Sequence, residues 1–378
     1  MSKCPFAKEC GACNWQDISY EEEIAIKKKE INELFKSINY NKEVTITPSE
    51  NCNNYRNKAI IAFKISKTKK VVSGIYEESS HKIVAVTDCL IQAPEINQVI
   101  KDLNEVLNKN KILPFGYDGV LKHGVIRYGH ITKDILVTLV TSSINFPGRQ
   151  NVVKDLIKLN LHIKTIVQNV QDRDTPIVLG ETEKVLYGPG YIYDFLGGLK
   201  FKISSKSFYQ INSIQTEKLY QKAIEYADMK KEDIFLDAYS GIGTIGLIAS
   251  CNCKKILSVE NNKNAIFDAR GNAKINNINN VEFVCDDSTR FMKELSRQNN
   301  KIDGVFLDPP RSGTTNEFIS AVADLNVKKV VYVSCNPETL VRDLVLFEKR
   351  GYKINSVSSF DMFPRTKHVE TVALLVKK

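Results

Sequence analysis

The chain has 378 residues, and at about 150 residues per domain this length predicts two or three domains. Hydrophobic residues make up 43% and charged residues 26% of the chain, which excludes long disordered stretches. The formal net charge of +9 is compatible with a polyanionic partner but does not require one.

The sequence gives no sign of membrane insertion or export. No apolar run approaches the roughly 20 residues that span a bilayer, and the N-terminus lacks the apolar middle of a secretory signal. We therefore expect a cytoplasmic protein. In that compartment the nine cysteines do not form a disulfide framework, so those that matter should bind a metal or take part in catalysis.

The N-terminal half reads as one helix followed by a β-rich region. Residues 19–38 have near-helical apolar spacing, and their acidic start and lysine-rich middle predict a solvated face with local ion pairs. From Arg56 to about Lys200 short β-like runs alternate with Gly and Pro, and a helical stretch at 94–108 makes this region α+β. The apolar helix positions are Ile24, Ile26, Ile31, Leu34, Phe35 and Ile38.

After Gln215 the pattern changes to strands that alternate with helices. The runs DIFLDA, KILSVE, VEFVCD, GVFLDP and KVVYVSC are each followed by a helical segment, which predicts an α/β fold with a doubly wound parallel sheet. Two final runs, INSVSSF and TVALLV, have no helix between them. They predict a hairpin at the sheet edge with an antiparallel last strand.

A glycine loop follows the first of these strands. Gly241, Gly243 and Gly246 read as G-x-G-x-x-G between a strand and a helix, and Glu260 ends the next strand, where it can accept hydrogen bonds from ribose hydroxyls. The loop alone fits either NAD or S-adenosylmethionine. Asp237 would repel a pyrophosphate but could meet a cationic amino acid group, which favours S-adenosylmethionine.

Two further acidic residues support that choice. Asp287 follows the third strand, where it could meet an adenine amine, and Asp308 follows the fourth at the ligand-presenting edge. The Asp-Pro-Pro at 308–310 is typical of enzymes that methylate exocyclic amines when an aromatic residue follows. Here Arg311 follows instead, which weakens that alternative.

A cysteine at the end of the fifth strand is a candidate nucleophile. Cys335 is held at a turn before Pro337, where helix amides could lower a thiol pKa. A thiolate that adds to C6 of uracil makes C5 nucleophilic enough to attack a methylsulfonium. A base must then remove the C5 proton, for which we favour Glu370, while His368 could orient the substrate.

Four cysteines form a further set. Cys4, Cys10 and Cys13 lie within ten residues, and Cys89 offers a fourth thiol after a β-like run. Four thiolates suit zinc or an iron–sulfur cluster, and spacing alone does not decide between them. The spacing does not match the cysteine triplet of radical S-adenosylmethionine enzymes.

Together these features resemble the RNA uracil-5-methyltransferases, which include the 23S rRNA and tRNA 5-methyluridine enzymes. The resemblance spans nearly the whole chain and rests on motifs that follow one another in order. These motifs are Tyr55-Arg56-Asn57-Lys58, SFYQIN at 207–212, DAYSGIGTIG at 237–246, DPPRSG at 308–313, SCNP at 334–337 and FPRTKHVETV at 363–372.

The resemblance implies roles for individual residues. Cys335 would be the nucleophile, Glu370 the base and Phe208 the aromatic that supports a flipped target base. The four cysteines would hold a 4Fe-4S cluster. With the residues inferred above, the expected S-adenosylmethionine contacts are Gln210, Tyr239, Thr244, Glu260, Asp287 and Asp308.

The resemblance also implies an organisation and a target. We expect a cluster-bearing segment at 1–53, a β-rich RNA-binding domain at 54–200 and a class I methyltransferase domain with a seven-stranded sheet at 201–378. Many relatives begin with a small β-barrel, for which Cys4 leaves no room. The iron–sulfur set favours 23S rRNA as target of a monomeric enzyme. The alternatives are a tRNA target, an amino-group methyltransferase and a cluster-bearing RNA-binding protein without activity.

Overall fold

The computed structural model describes residues 4–378, and their first elements are a long helix and a short strand. The helix α1 (Tyr20–Lys36) begins after Ser19, whose hydroxyl accepts a hydrogen bond from the backbone N–H of Glu22 at 3.1 Å. Such a cap satisfies one of the free N–H groups of the first turn. The strand β1 (Thr45–Thr47) follows.

The central region forms a seven-stranded sheet in the order β4-β3-β2-β5-β6-β7-β8. All neighbours are antiparallel except β6 and β7, which are parallel. Helices α2 and α3 cover the sheet, and their side chains Val99, Leu103 and Leu156 are fully buried in its core. The elements are β2 (Lys58–Ile65), β3 (Val71–Tyr76), β4 (Ile83–Val84), α2 (Pro94–Lys109), β5 (Leu121–Tyr128), β6 (Ile135–Thr141), α3 (Arg149–Leu159), β7 (Ile163–Val170) and β8 (Thr182–Tyr187).

A two-stranded hairpin, β9 (Tyr191–Leu196) and β10 (Leu199–Ser204), follows the central sheet. The expected domain boundary between residues 200 and 201 falls inside β10. The inward side chains Ile192, Phe201 and Ile203 share a core with the C-terminal sheet, because helix α6 (Lys263–Ile275) of that half packs on β10. The hairpin is therefore packed with the residues that follow it.

The C-terminal half contains an eight-stranded sheet in the order β1-β16-β17-β15-β14-β11-β12-β13. Helices α1, α7, α8 and α9 share the core on one face, and α4, α5 and α6 share the core on the other. The elements are α4 (Ser213–Ala227), β11 (Ile234–Ala238), α5 (Thr244–Ala249), β12 (Lys255–Glu260), α6 (Lys263–Ile275), β13 (Val281–Cys285), α7 (Ser288–Arg297), β14 (Gly304–Leu307), α8 (Asn316–Asp324), β15 (Lys329–Ser334), α9 (Pro337–Lys349), β16 (Tyr352–Phe360) and β17 (Glu370–Lys377).

The α/β architecture predicted from the sequence is confirmed. The strands β11 to β15 are parallel, and β17 is antiparallel to both β15 and β16, as the two final runs predict. The expected count of seven strands is exceeded by one, because β1 from the N-terminal segment pairs with β16. No helix within residues 4–378 has the length and apolar character to cross a membrane.

Helix α1 differs from the sequence-based expectation in one important respect. Its buried residues are Glu23, Lys27, Ile31 and Phe35, which form one stripe at intervals of four residues. Two charged side chains that were expected to face solvent are therefore buried. The ammonium of Lys27 lies 2.7 Å from Glu23 Oε1 and 2.7 Å from Asp361 Oδ1. This buried network ties α1 to the segment between β16 and β17.

The network generates a stability prediction. Lys27→Met should lower the free energy of unfolding by about 3–5 kcal/mol, because it removes the ammonium that pairs with both buried carboxylates, Glu23 and Asp361. The matched control is Lys29→Met, whose side chain is 76% exposed and lies 4.0 Å from Glu33, and which should change stability by less than about 0.5 kcal/mol. Denaturant unfolding measures both, and equal effects would contradict the assigned role of the network.

Candidate active site

The carboxyl ends of the parallel strands in the C-terminal sheet form one edge that collects the sequence motifs. Strand β11 ends at Ala238, β12 at Glu260 and β15 at Ser334, while Asp308 directly follows β14. Because β17 runs the opposite way, its first residue, Glu370, lies at this same edge. Open α/β sheets bind their ligands at such an edge.

The glycine loop between β11 and α5 requires its glycines. Gly241 and Gly243 have φ of 55° and 81°, in the left-handed region that favours glycine. A Cβ at Gly246 would lie 2.6 Å from Asp237 Oδ2, so a side chain there would collide with the carboxylate. The backbone N–H of Gly241 donates to Glu260 Oε2 at 3.1 Å, which fixes the loop against the end of β12.

Two carboxylates lie at this edge close to the loop, Asp237 fully buried and Asp308 partly buried. Burial raises the pKa of Asp308 to about 7. Burial also raises the pKa of Asp237 to about 7, although the N–H of Gly246 hydrogen-bonds its carboxylate and opposes the shift. The charges of Asp308 and Glu260 also contribute to the raised pKa of Asp237. Since three acidic groups share a poorly hydrated edge, a cationic ligand is the chemical class that would relieve their repulsion.

Most of the other expected cofactor contacts lie around this loop. Thr244 begins α5, and its hydroxyl is 3.3 Å from the hydroxyl of Tyr220, a residue to which sequence reasoning assigned no role. Gln210 is buried and hydrogen-bonds Tyr220 as well. Tyr239 has a φ of 63° and donates its backbone N–H to Ser288 Oγ at 3.2 Å. Tyr220 thus connects Gln210 to Thr244.

Asp287 is placed differently from the buried carboxylates. It caps α7, where Oδ1 accepts the backbone N–H of Arg290 at 2.9 Å, and its side chain is exposed. The carboxylate therefore has a structural role at the helix N-terminus as well as a position near the end of β13.

Cys335 and Glu370 are brought together by the register of β15 and β17. Ser334 pairs with Thr371, so the next antiparallel position sets Cys335 opposite Glu370. Burial first, and then the charges of Glu370 and Asp308, raise the pKa of the Cys335 thiol to about 11. Burial and the charge of Asp308 raise the pKa of Glu370 well above its ordinary value. Its Oε2 has no hydrogen-bond partner within the described residues.

Arg311 is the cation of this group. It lowers the pKa of Cys335 both by its charge and through a hydrogen bond, and it also lowers the pKa of Glu370. The Asn336 and Thr339 side chains donate to the Arg311 carbonyl at 3.2 and 3.1 Å, which holds its loop beside Cys335. The sequence marked Arg311 only as a departure from the amino-methyltransferase motif.

A cavity of about 530 Å³ opens beside Cys335. Arg311, Lys367 and His368 line it on one side, and residues of α1 line the other. Burial first, and then the nearby cations, lower the pKa of His368, which favours its neutral form. His368 therefore lines the same cavity as Cys335, and its role in orienting a substrate stays a prediction.

The loop that carries Phe208 is held by the central region. The side chain of Phe208 is 67% exposed, whereas its neighbours Ser207 and Tyr209 in the SFYQIN segment are buried. The buried guanidinium of Arg127 donates to the carbonyls of Ser205 and Ser207. Asn57 Nδ2 donates to the carbonyl of Gln210 at 2.9 Å. Nothing in the sequence around Arg127 marked it for this role.

The four expected metal ligands lie around one small cavity of about 20 Å³, distant in sequence but close in space. Its lining includes Cys4, Cys10, Cys13 and Cys89. Burial first, then the charges of the other three thiols, raise the pKa of Cys13 to about 11 despite a hydrogen bond from Gln16. In the positions that their side chains have in this structure, residues 4–378 contain no group of three His, Cys, Asp or Glu residues that could hold a metal ion.

Comparison with known proteins gives consistent results. A family model described as tRNA (uracil-5-)-methyltransferase matches residues 19–378. An uncharacterised RNA methyltransferase of Oceanobacillus iheyensis is 40% identical over 376 residues, which cover 98% of this chain and 82% of that protein. One from Staphylococcus aureus is 38% identical over 381 residues, with coverage of 98% and 83%.

A solved structure is also similar over nearly the whole chain. The tRNA (uracil-54, C5)-methyltransferase of Pyrococcus abyssi, in complex with S-adenosyl-L-homocysteine, superposes with a TM-score of 0.80 at 29% sequence identity. The match covers 97% of this chain and 86% of that one.

The buried carboxylates generate a pH-dependent prediction for the ligand-free protein. Because the folded-state pKa of Asp308 is raised above its unfolded value, its contribution to stability is present at acidic pH and is lost as pH rises through about 7. Asp308→Asn should therefore raise the melting temperature at about pH 8 and have a smaller effect at about pH 5. The control Asp324→Asn removes an exposed carboxylate and should have little effect at either pH. An equal shift for Asp308→Asn at both pH values would contradict the burial argument.

Proposed function

The chain belongs to the tRNA (uracil-5-)-methyltransferase family, and from that premise we propose that it methylates C5 of a uridine in RNA with Cys335 as nucleophile and Glu370 as base. The observation that carries the proposal is the register of β15 and β17, which sets the thiol opposite a buried carboxylate. The nucleophile must reach C6 of the uracil ring and the base must reach the proton on C5, and the pairing of Cys335 with Glu370 supports this assignment.

The proposed reaction proceeds through a covalent adduct. The thiolate of Cys335 adds to C6 of uracil, the C5=C6 double bond opens to an enolate, and C5 becomes the nucleophile that takes the methyl group. Glu370 then removes the C5 proton, the C5=C6 double bond re-forms and the Sγ–C6 bond breaks, which returns Cys335 as thiolate. Arg311 favours the thiolate by lowering the pKa of Cys335. The raised pKa of Glu370 makes it a stronger base once ionised.

We propose S-adenosylmethionine as the methyl donor, whose cationic sulfonium carries the transferable methyl group. The residues fit such a ligand, because the buried Asp237 and the partly buried Asp308 are acidic groups at the sheet edge and can compensate a positive charge. Glu260 is placed at the end of β12 for ribose hydroxyls. The proposed contacts are Gln210, Tyr239, Thr244, Glu260, Asp287 and Asp308.

We propose that Phe208 supports the flipped target base. The exposed phenyl ring lies on a loop that Arg127 and Asn57 hold in place, so it can offer a fixed stacking surface. An enzyme that acts on a base must take that base out of the stack, and an aromatic side chain stabilises it there.

We also propose that Cys4, Cys10, Cys13 and Cys89 hold a 4Fe-4S cluster. The four thiols support this proposal, because they come from two distant segments and line one cavity. Four Cys thiolates are also the usual ligands of such clusters. The cluster would cross-link the N-terminal segment to the central region. No step of the methylation depends on it.

The proposed division of labour follows the three expected segments. Residues 1–53 would carry three cluster ligands, 54–200 would bind RNA and 201–378 would methylate it. The packing of the β9–β10 hairpin on α6 supports a functional boundary at about residue 190 in place of 200. Because one chain supplies Cys335, Glu370 and the cofactor contacts, we propose that it acts as a monomer.

Within RNA, we propose 23S rRNA as the target, on the strength of the four-cysteine set. The similarity to the Pyrococcus abyssi enzyme favours tRNA as a second candidate. Mass spectrometry of nucleosides from 23S rRNA and tRNA, each incubated with the purified enzyme, would distinguish these targets. The same measurement tests the amino-group alternative, which requires methylated adenine or guanine in place of 5-methyluridine.

Two substitutions test the catalytic assignment. Cys335→Ala should abolish methyl transfer, because no other thiol lies opposite Glu370 in the described residues. Glu370→Gln should slow product formation by about 100- to 10,000-fold and accumulate a denaturation-resistant protein–RNA complex, because the adduct forms but does not release. Single-turnover methylation and denaturing gels measure both. A Cys335→Ala enzyme that still produced 5-methyluridine would contradict the mechanism.

Substitution of a proposed cluster ligand tests the metal assignment without use of activity. Cys89→Ser should lower the iron and sulfide content of protein purified without air and remove its visible absorbance, because one thiolate ligand is lost. The control Cys253→Ser changes a thiol that is buried to a similar extent, 6% exposed against 8%, and should leave iron content unchanged. A wild-type protein that contained one zinc and no iron would contradict the cluster.

A further inference from the structure

The β9–β10 hairpin exposes an unusual face. Side chains alternate along both strands, so Ile192, Leu196 and Phe201 point into the core, while the opposite face meets solvent. The register places Tyr193 opposite Lys202 and Phe195 opposite Lys200. We call this face, together with a neighbouring phenyl ring of α6, the aromatic face; its residues are Tyr191, Tyr193, Phe195, Lys200, Lys202 and Phe267.

Rings and ammonium groups alternate across the aromatic face. The Lys200 ammonium lies 4.1 Å from the ring centroid of Tyr193, and the Lys202 ammonium lies 4.7 Å from that of Tyr191 and 5.3 Å from that of Phe267. The rings of Tyr191 and Tyr193 are 5.3 Å apart at 70°. Cation–π contacts hold the side chains in a defined arrangement.

Two phenyl groups of this face are exposed, which is unfavourable for apolar side chains in water. Phe267 is 70% exposed, although it lies on a well-packed helix whose neighbouring residues Ile266 and Ala269 are buried. Phe195 on the hairpin is 39% exposed. A contiguous set of exposed aromatic side chains beside lysines marks a binding surface more often than a scattered apolar residue does.

The aromatic face is joined to the loop of Phe208. Ser204 is the last residue of β10, and its Oγ lies 2.7 Å from Ser207 Oγ. The Ser207 hydroxyl donates a hydrogen bond to Asp268 Oδ2 at 2.8 Å. The other oxygen of Asp268 lies 3.3 Å from the Lys202 ammonium. One polar network therefore fixes the face next to the residue that we propose supports the target base.

We infer that the aromatic face binds single-stranded RNA next to the target uridine, by base stacking on its rings and by phosphate contacts with its lysines. The inference rests on the proposed RNA substrate and extends its contact area beyond the catalytic edge. Aromatic rings interleaved with basic groups are what sequence-tolerant single-strand sites use, because every base has a π face and every nucleotide carries a negative phosphate. A protein partner of acidic character would be the competing outcome.

Binding of a uracil-free RNA separates this inference from the catalytic proposal. The probe is a fluorescein-labelled oligocytidylate of about 12 nucleotides, which contains no uracil, the proposed target base. Phe267→Ala should raise its Kd by about 5- to 100-fold, and Tyr193→Ala should act in the same direction. Lys200→Gln should reduce the slope of log Kd against log salt by about one. Fluorescence anisotropy measures all three, and the melting temperature of each variant verifies folding.

The matched control is Tyr226→Ala, which removes another aromatic ring beside a lysine, 5.6 Å from the Lys222 ammonium, on α4 and outside the segment proposed to bind RNA. It should leave the Kd of oligocytidylate unchanged. An equal loss in Tyr226→Ala and Phe267→Ala would overturn the inference. An unchanged Kd in both Phe267→Ala and Tyr193→Ala would also overturn it. In that case the proposed function would still stand, provided that the wild-type enzyme makes 5-methyluridine.

Discussion

The antiparallel insertion of β17 between β15 and β16 is the constraint on which the site depends. It brings the buried carboxyl of Glu370 to the edge where the parallel strands deliver Asp308 and Cys335. Burial first, and then the charges of Glu370 and Asp308, raise the pKa of the Cys335 thiol. In the proposed mechanism, a cationic ligand bound at this edge would compensate the carboxylate charges and thereby favour the thiolate of Cys335.

Other parts of the molecule maintain this edge from a distance. The buried ion pairs of Lys27 join α1 to Asp361, which directly follows β16 and lies nine residues before Glu370. The N-terminal helix therefore helps to position the strand that starts with Glu370. The central region acts from the other side, where Arg127 holds the loop of Phe208. The edge that holds Cys335 and the loop of Phe208 are thus fixed by elements from different segments of the chain.

Motifs that directly follow the strands made the candidate catalytic edge predictable from the sequence. The glycine loop, Asp308 and Cys335 each follow an apolar run, and parallel strands must present their carboxyl ends together. Long-range partners were not predictable in this way. The sequence of α1 indicated a solvated charged face, but Lys27 is buried because it pairs with Asp361. That partner lies 334 positions later, outside any local pattern. The three residues of β1 are likewise a strand only because β16 offers an edge. No local pattern contains either fact.

The covalent step is the centre of the account, and one measurement tests it most directly. RNA that contains 5-fluorouridine has no C5 proton for Glu370 to remove, so the adduct should accumulate on the wild-type enzyme with S-adenosylmethionine. After nuclease and protease digestion, mass spectrometry should find a methylated fluorouridine nucleotide on the peptide that contains Cys335. Attachment to any other cysteine, or turnover without an adduct, would contradict the account.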